Sequence, residues 1–433
     1  MSLAFWLSEL CDASIIIIEK ENRIASHTSS RNTGVVHRPF YLNPQKKRVF
    51  ARSAQKSYFL WSKLASRYGL PWEQRGTLEV ALREKDLETL AQYKEWAIQN
   101  GMSEDEVDVM DSNEVKRLEP EVQCRGAIFS KTDTCVDYGI FSNLVFELAK
   151  KNGVKLVLGS GVERIAETSS GLDISLVDGA SSKISCDYAI NAAGGRALDI
   201  AHMVNVAEEY ADLHFRGEYW VVGEPLSSKV THNIYSIARY KDFPFLDPHF
   251  IVRSNGRREI GPNAVLVSGP EAYRGLSRTK SELLGKFFER PLAPKFNLFT
   301  SRKFLSLVWS EWRSSISKGA MCERVRRFIP SLDVGMLKER GLAGVRTSLI
   351  SKEGFVPEAL LLEGKHSLHV LNYTSPGATG APAFSAYIVK MLHEGGYVNL
   401  NKRAQTGDGA PVWDYEDAIS IFSEKITNGR LTK

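Results

Sequence analysis

The chain has 433 residues, two to three times the ~150 of one compact domain, which excludes a small stapled module and makes two domains the expectation. Hydrophobic residues make up 43% and charged residues 25%, ordinary values for a folded protein and unlike those of a disordered one. Fifty-six Lys and Arg against 51 Asp and Glu give +5, an excess spread along the chain with no basic arm, so nothing points to nucleic acid while a small anionic ligand is compatible.

The five cysteines (Cys11, Cys124, Cys135, Cys186 and Cys322) are odd in number, widely spaced and form no C-x-x-C pair, which reads as reduced cytoplasmic thiols and no metal site. No apolar run approaches the ~18–20 residues of a membrane span, and the start lacks a basic leader and a cleavage site.

Apolar residues at helical spacing predict a helix over 2–10, followed by Ile15-Ile16-Ile17-Ile18, four β-branched residues without alternation. Such a run is expected to be buried on both faces, as an interior strand of a parallel sheet is, and it ends in Glu19-Lys20-Glu21. Helical patterns recur at about 44–69, 84–100, 112–118 and 139–152, with strands expected at 76–81, 126–129, 155–158 and 172–177. Tyr188 to Gly195 reads as a buried strand running into a glycine turn and a helix from about Ala197. From 213 to 270 short β-rich stretches with Gly and Pro punctuation predict an antiparallel sheet; helices return at 281–328, and a strand at 367–372 leads through a Pro/Gly turn into a helix ending near Leu392. After Asn401 the composition turns polar, as in a loosely docked extension.

Four stretches could carry chemistry. An acidic residue closing an apolar strand, Glu19, can accept hydrogen bonds from the ribose of an adenosine, or it can be a solvated strand end. In Ser29-Ser30-Arg31-Asn32-Thr33-Gly34-Val35-Val36-His37, backbone N–H groups could approach a flat ring or a phosphate, with an ordinary surface turn as the other reading. Ala189-Ile190-Asn191-Ala192-Ala193-Gly194-Gly195 would let the backbone lie against a cofactor, although tight strand-to-helix packing explains the glycines too. Asn372 to Gly380 leads into a helix whose N-terminal N–H groups can stabilise negative charge; a plain helix cap competes.

In this order, with S-x-R-N-x-G-x-x-H, the hhNAAG strand, Gly344-Val345-Arg346 and S-P-x-A-T, the chain resembles the FAD-dependent oxidoreductases of the D-amino-acid-oxidase superfamily. The similarity is closest to the L-2-hydroxyglutarate dehydrogenase/oxidase group and next to the FAD-dependent glycerol-3-phosphate dehydrogenases, over about residues 1–395. The resemblance implies an α/β fold, α+β overall, with a glutathione-reductase-like FAD-binding Rossmann domain (1–45, 140–205 and 335–395) and an antiparallel-sheet substrate or cap domain (46–139 and 206–334). Residues 396–433 would be a C-terminal extension.

It also implies roles residue by residue. Glu19, with Lys20 beside it, matches the ribose-binding acid; Ser30, Arg31, Asn32, Thr33 and Gly34 match the loop over pyrophosphate and flavin. Val162 matches a residue whose backbone meets the adenine, and Ala192, Ala193 and Gly194 match the second pyrophosphate-side turn. Gly344, Val345 and Arg346 match the segment on the substrate side of the flavin, and Pro376, Gly377, Ala378 and Thr379 match the turn at its pyrimidine edge. The chain departs from the pattern in His37-Arg38-Pro39, which adds a cation to the substrate-side wall.

The implied chemistry removes a hydride from a small anionic 2-hydroxy acid, L-2-hydroxyglutarate, and passes the electrons to a quinone or another acceptor. His37 is the first candidate for base, with His232 and His249 as alternatives; Arg346 is the candidate anion partner, followed by Arg38 and Tyr219. The alternative substrate is sn-glycerol 3-phosphate. Homo-oligomers and peripheral membrane association are compatible with the family, though no amphipathic anchor is evident in the sequence. The strand and G-x-G-x-x-G loop that should precede the first helix are absent, which carries three readings: a chain as given with weakened FAD affinity, a truncated non-catalytic relative, or a start assigned inside the helix that follows such a loop.

Overall fold

The computed structural model describes residues 1–177, 182–239, 243, 247–400, 411–422, 426–427 and 430–431. The strand Ile16–Ile18 runs parallel to Lys155–Val157, and Ala189–Asn191 runs parallel to Ser367–Leu371, which pairs in turn with Leu360–Gly364. Among the described residues the isoleucine strand has that one neighbour, so it is a sheet edge and Ile16 is 41% exposed; the expectation of burial on both faces fails there. A three-stranded antiparallel sheet, Gly161–Glu167, Leu172–Val177 and Lys183–Cys186, stands beside it.

The helix Ser2–Leu10 packs against Tyr138–Lys151 and against the last long helix, Gly377–Glu394, which also lies along Arg48–Tyr68. Arg48–Tyr68 therefore belongs to this layer and not to the cap, where the sequence reading put it. Its amphipathic face supplies Leu60, Trp61 and Leu64 to the main core, together with Trp6, Phe141, Phe384 and Tyr387. Trp413 joins them: it is 2% exposed, packs edge-on to Phe5 and Trp61, and donates its indole N–H to the Leu60 carbonyl at 2.8 Å. Phe422 is buried against Tyr387. The segment 411–422 is thus an integral part of the core and not loosely docked; residues 401–410 lie outside the described residues.

The cap side is built on an eight-stranded sheet in the order Leu337–Arg340, Trp220–Val222, Arg258–Gly261, His249–Val252, Asn233–Ser236, Thr77–Ala81, Gly126–Ser130 and Val107–Asp111. One step breaks the expected antiparallel pattern: Asn233–Ser236 lies parallel to Thr77–Ala81, because the sheet recruits a hairpin from far earlier in the chain. One face buries Leu78, Ile234, Phe250 and Ile260 against Met321, Val325 and Phe328 of the helical segment. A four-stranded sheet joins the two halves, with Ala211–Gly217 between Val265–Val267 and Gly344–Ser351. No described helix is long and apolar enough to cross a membrane.

Candidate active site

The polar stretch after the isoleucine strand wraps into a loop that ends at Gly34, whose φ of +71° favours glycine and where a Cβ would stand 2.6 Å from the Val136 carbonyl oxygen. The chain then enters Val35–Val36, paired with Thr134–Cys135 in the register Val36 to Thr134. That register sets His37 beside Asp133, and the imidazole Nδ1 lies 2.9 Å from Asp133 Oδ2. The Asp133 carboxylate is fully buried and accepts three further hydrogen bonds, from the Arg38 backbone N–H (3.0 Å), Thr77 Oγ1 (2.9 Å) and Ser130 Oγ (2.6 Å). With four donors on its two oxygens, this carboxylate orients the His37 ring with Nδ1–H toward it, which leaves the Nε2 lone pair on the other side. Nε2 lies 3.5 Å from the Tyr235 hydroxyl.

His249 is stacked on Tyr235 with ring centroids 3.8 Å apart, and burial holds its pKa down to about 3. Its Nδ1 lies 3.2 Å from the Asp247 carbonyl oxygen, and its buried Nε2 has no hydrogen-bond partner among the described residues. Tyr219 is also buried and its hydroxyl is pushed up to about 12 by that burial, with the Arg253 guanidinium 4.8 Å from its ring centroid and opposing the shift. Arg346 sits on Gly344–Ser351, opposite Phe215 on the neighbouring strand. Burial works against its charge, and the Tyr41 and Tyr219 hydroxyls work for it. Lys47 is lowered by burial and next by Arg346, while Glu358 supports its charge. Glu358 is itself raised to about 7 by burial, although the backbone N–H groups of Val49 (2.9 Å) and Ala359 (3.2 Å) donate to it.

His37, Tyr219, Tyr235, His249 and Arg346 meet at a cavity of about 450 Å³. Thr28, Arg31, Asn32 and Thr33 line one end, Ala192 and Gly194 another, and Gly344, Val345 and Arg346 a third side. Pro376 to Thr379, the first turn of Gly377–Glu394, and Met1 to Leu3, the first turn of the N-terminal helix, close it, so two helix N-termini face one space. At Gly194, φ +58°, a Cβ would project into open space with no atom within 4 Å, which leaves the backbone free to be approached. A flavin dinucleotide fits this donor set: small residues for the ring and phosphates, helix termini for its anionic parts. A second, larger cavity of about 1620 Å³ shares Arg346 and Ser375 with the first and reaches Tyr41, Lys47 and Glu358.

The structure does not bring every predicted residue to the cavity. Arg38 follows His37 in extended chain, where side chains alternate, so it points the other way. It is fully buried, its Nη2 donates to Glu106 (2.9 Å) and Gln55 (3.0 Å), and its guanidinium lies 4.4 Å from the Tyr58 ring centroid. It is a structural ion pair and offers no cation to a substrate. His232 is three residues before Tyr235 and hence on the opposite side of that strand, bound through Nδ1 to Glu119 at 2.6 Å. Glu19 accepts the Glu21 backbone N–H at 2.9 Å, Lys20 pairs with Glu21 and with Glu271 (3.4 Å), and Val162 packs with Ile18 and Val157; these three gather at the strand ends outside the cavity. Ser30, Gly34 and Ala193 shape the adjoining turns without lining it.

Asp133, Tyr235, Tyr41 and Lys47 escaped the sequence reading. Tyr235 carried a signal, since Ile234 belongs to the core and its neighbour in a strand must face the other way. Asp133 carried none: it reads as a turn residue, and only the pairing of two short strands brings it to His37.

The FAD dependent oxidoreductase (DAO) family matches residues 1–391. The mitochondrial L-2-hydroxyglutarate dehydrogenase of Caenorhabditis elegans is 29% identical over 401 residues, covering 89% of this chain and 88% of the relative. The L-2-hydroxyglutarate dehydrogenase of Indibacter alkaliphilus is 28% identical, over 85% of this chain and 89% of that protein. Among solved structures, the FAD-bound L-α-glycerophosphate oxidase of Mycoplasma pneumoniae shares the fold with a TM-score of 0.70 at 19% identity, covering 95% and 96% of the two chains. The chain belongs to the FAD-dependent oxidoreductase (DAO) family, an enzyme family whose cofactor is FAD.

Proposed function

We propose that the enzyme oxidises a small anionic 2-hydroxy acid, L-2-hydroxyglutarate, to the 2-oxo acid, and that the electrons leave to a quinone or a similar acceptor. The relatives' printed activity supports the substrate class. The observation that carries the reading is that His37, paired with the buried Asp133 at 2.9 Å, lines the same cavity as Arg346. When bound, FAD accepts the hydride from the substrate's C2–H. His37 Nε2 takes the hydroxyl proton, and Asp133 stabilises the imidazolium that results. Arg346 binds a carboxylate in its planar fork, and Lys47 stands where a second carboxylate reduces the repulsion between the two cations. Tyr235 and Tyr219 wall the site and exclude water. His249, held down to about 3, is too weak a base at neutral pH and serves as a neutral hydrogen-bonding group.

The flavin dinucleotide is proposed to lie along Arg31 to Gly34, Ala192 to Gly194, Gly344 to Arg346 and Pro376 to Thr379. Its adenosine end would lie toward Glu19, Lys20 and Val162. Steady-state kinetics with a dye acceptor tests the substrate: L-2-hydroxyglutarate should turn over at low KM, its D-enantiomer far less. Turnover of sn-glycerol 3-phosphate alone would replace the proposal with the phosphate-bearing alternative.

A further inference from the structure

Between Val265–Val267 and the helix Lys280–Phe288 the chain runs through a loop, residues 268–277, that lines no part of the flavin cavity yet touches the turns that do. Its stem is closed by the Ser268 N–H, which donates to the Leu276 carbonyl at 3.0 Å. The buried Arg216 braces it from the strand Ala211–Gly217, with Nη1 donating to the carbonyl oxygens of Ala272 (3.0 Å) and Gly275. The loop is therefore a shaped body fixed to one side of the molecule.

From that body two side chains reach to the cofactor side. The buried Glu271 accepts from Arg196 Nη2 at 2.8 Å, just beyond the turn that carries Gly194, and lies 3.4 Å from Lys20 Nζ at the end of the isoleucine strand. One carboxylate thus ties the turn at one end of the cavity to the segment that leads into the loop at the other. Burial pushes the Glu271 carboxyl up, but Arg196 first, then Lys20 and His27, outweigh it and hold it down to about 2, so this clamp stays ionised at any working pH.

Tyr273 makes the second tie. Its hydroxyl lies 2.5 Å from His27 Nδ1, its ring stacks on that imidazole with centroids 5.9 Å apart, and the Arg31 guanidinium lies 4.3 Å from its ring centroid. Arg31 lines the cavity, and its Nε donates to the Ser26 carbonyl at 3.0 Å. Pro270 completes the contact on the other wall: a Cβ on Gly195 would stand 2.4 Å from Pro270 Cβ, so the loop rests directly on the backbone of that turn. Directional contacts of this kind, made at once to both walls of one cavity, are more than a surface loop needs in order to pack.

We propose that residues 268–277 form a strap that retains the flavin dinucleotide, with Glu271 and Tyr273 as the positioning residues that hold the 20–31 segment and the 194–196 turn closed on it. The strap touches the walls and not the cavity, so it sets how often the walls part and not how well they fit the cofactor. Weakening it should speed the exit and the entry of FAD together and leave the equilibrium affinity nearly as it was. The proposal rests on the family's cofactor and is independent of which substrate is oxidised.

The test dilutes the holoenzyme into buffer without FAD and follows the recovery of flavin fluorescence; FAD added back to the released full-length protein gives the entry rate from its quenching. Glu271→Gln should release FAD about 10- to 100-fold faster, through loss of charge-assisted hydrogen bonds. Tyr273→Phe keeps the ring on Arg31 and loses one hydrogen bond, so about 3- to 10-fold is expected. Entry should accelerate by a similar factor in each variant, and turnover with FAD in excess should match the parent. Tyr273→Phe alone decides the matter if Glu271→Gln does not fold. Release at the parental rate would overturn the proposal. So would faster release with entry unchanged or slowed, which marks a weakened fold or a lost cofactor contact instead of a strap.

Discussion

Replacing Asp133 with Asn removes one charge and almost no volume, and its effect follows from the four donors around that carboxylate. Oδ2 accepts from His37 Nδ1 and Thr77 Oγ1, and Oδ1 from the Arg38 backbone N–H and Ser130 Oγ. An amide must turn its NH₂ toward one pair. Facing the Arg38 side, it meets a backbone N–H that cannot reorient, a buried donor–donor clash that costs about 1–3 kcal/mol. Facing the His37 side, it is accommodated by rotation of the Thr77 hydroxyl and by moving the imidazole proton to Nε2. The second arrangement wins, and it leaves His37 with no lone pair toward the cavity. Loss of a general base lowers turnover on the order of 10²–10⁴-fold, about 3–5 kcal/mol of transition-state stabilisation. The assay is kcat against pH with a dye acceptor, alongside flavin content and thermal midpoint. Asp133→Asn should retain FAD and lose kcat at every pH across the range from about 6 to 9. A kcat within threefold of the parent, with the same pH profile, would refute His37 as a base oriented by Asp133.

Three further outcomes are expected. Arg346→Lys should raise KM for a hydroxy acid about 30- to 150-fold with a smaller change in kcat, because charge-assisted hydrogen bonds of about 2–3 kcal/mol lose their planar fork; an unchanged KM would remove Arg346 from the substrate site. Trp413→Ala should destabilise the fold by about 3–5 kcal/mol in denaturant titration, whereas deletion of a loosely attached tail would cost almost nothing. Burial holds the His214 pKa down to about 3, so below its ordinary value the unfolded chain takes up a proton that the folded chain refuses. Its contribution to stability is therefore intact above about pH 6.5 and falls as the pH drops toward 3. His214→Phe should flatten that acid-side decline in urea midpoint, and an unchanged slope would contradict the burial argument.

Local pattern carried much of the fold. The helix at 2–10, the paired strands at 16–18 and 155–157, and the turn from Asn191 into the helix Ala197–His202 were legible because each is specified by adjacent residues. Two long strands escaped: Ala211–Gly217 and Gly344–Ser351 pair across more than a hundred residues, and nothing local announces that register. The same physics divides the site. Loop and helix-terminus residues such as Asn32, Gly194 and Thr379 lay in stretches that stood out locally but were assigned only through the family resemblance, and the structure gathers them around one cavity. Asp133 and Lys47 could not, since their place depends on which segments the sheets bring together. Arg38 misled for a related reason: its charge was visible, but Glu106 and Gln55, which absorb it, lie 68 and 17 residues away. Trp413 was lost in a polar stretch because one aromatic anchor does not make a periodic pattern.

Anaerobic titration of the FAD-loaded enzyme with substrate, followed at the flavin absorbance band, tests the proposed chemistry without any assumption about the electron acceptor. L-2-hydroxyglutarate should bleach the band to completion with about one equivalent per flavin and yield 2-oxoglutarate, while sn-glycerol 3-phosphate and amino acids leave it oxidised. Bleaching by glycerol 3-phosphate or an amino acid, with none by the hydroxy acid, would contradict it.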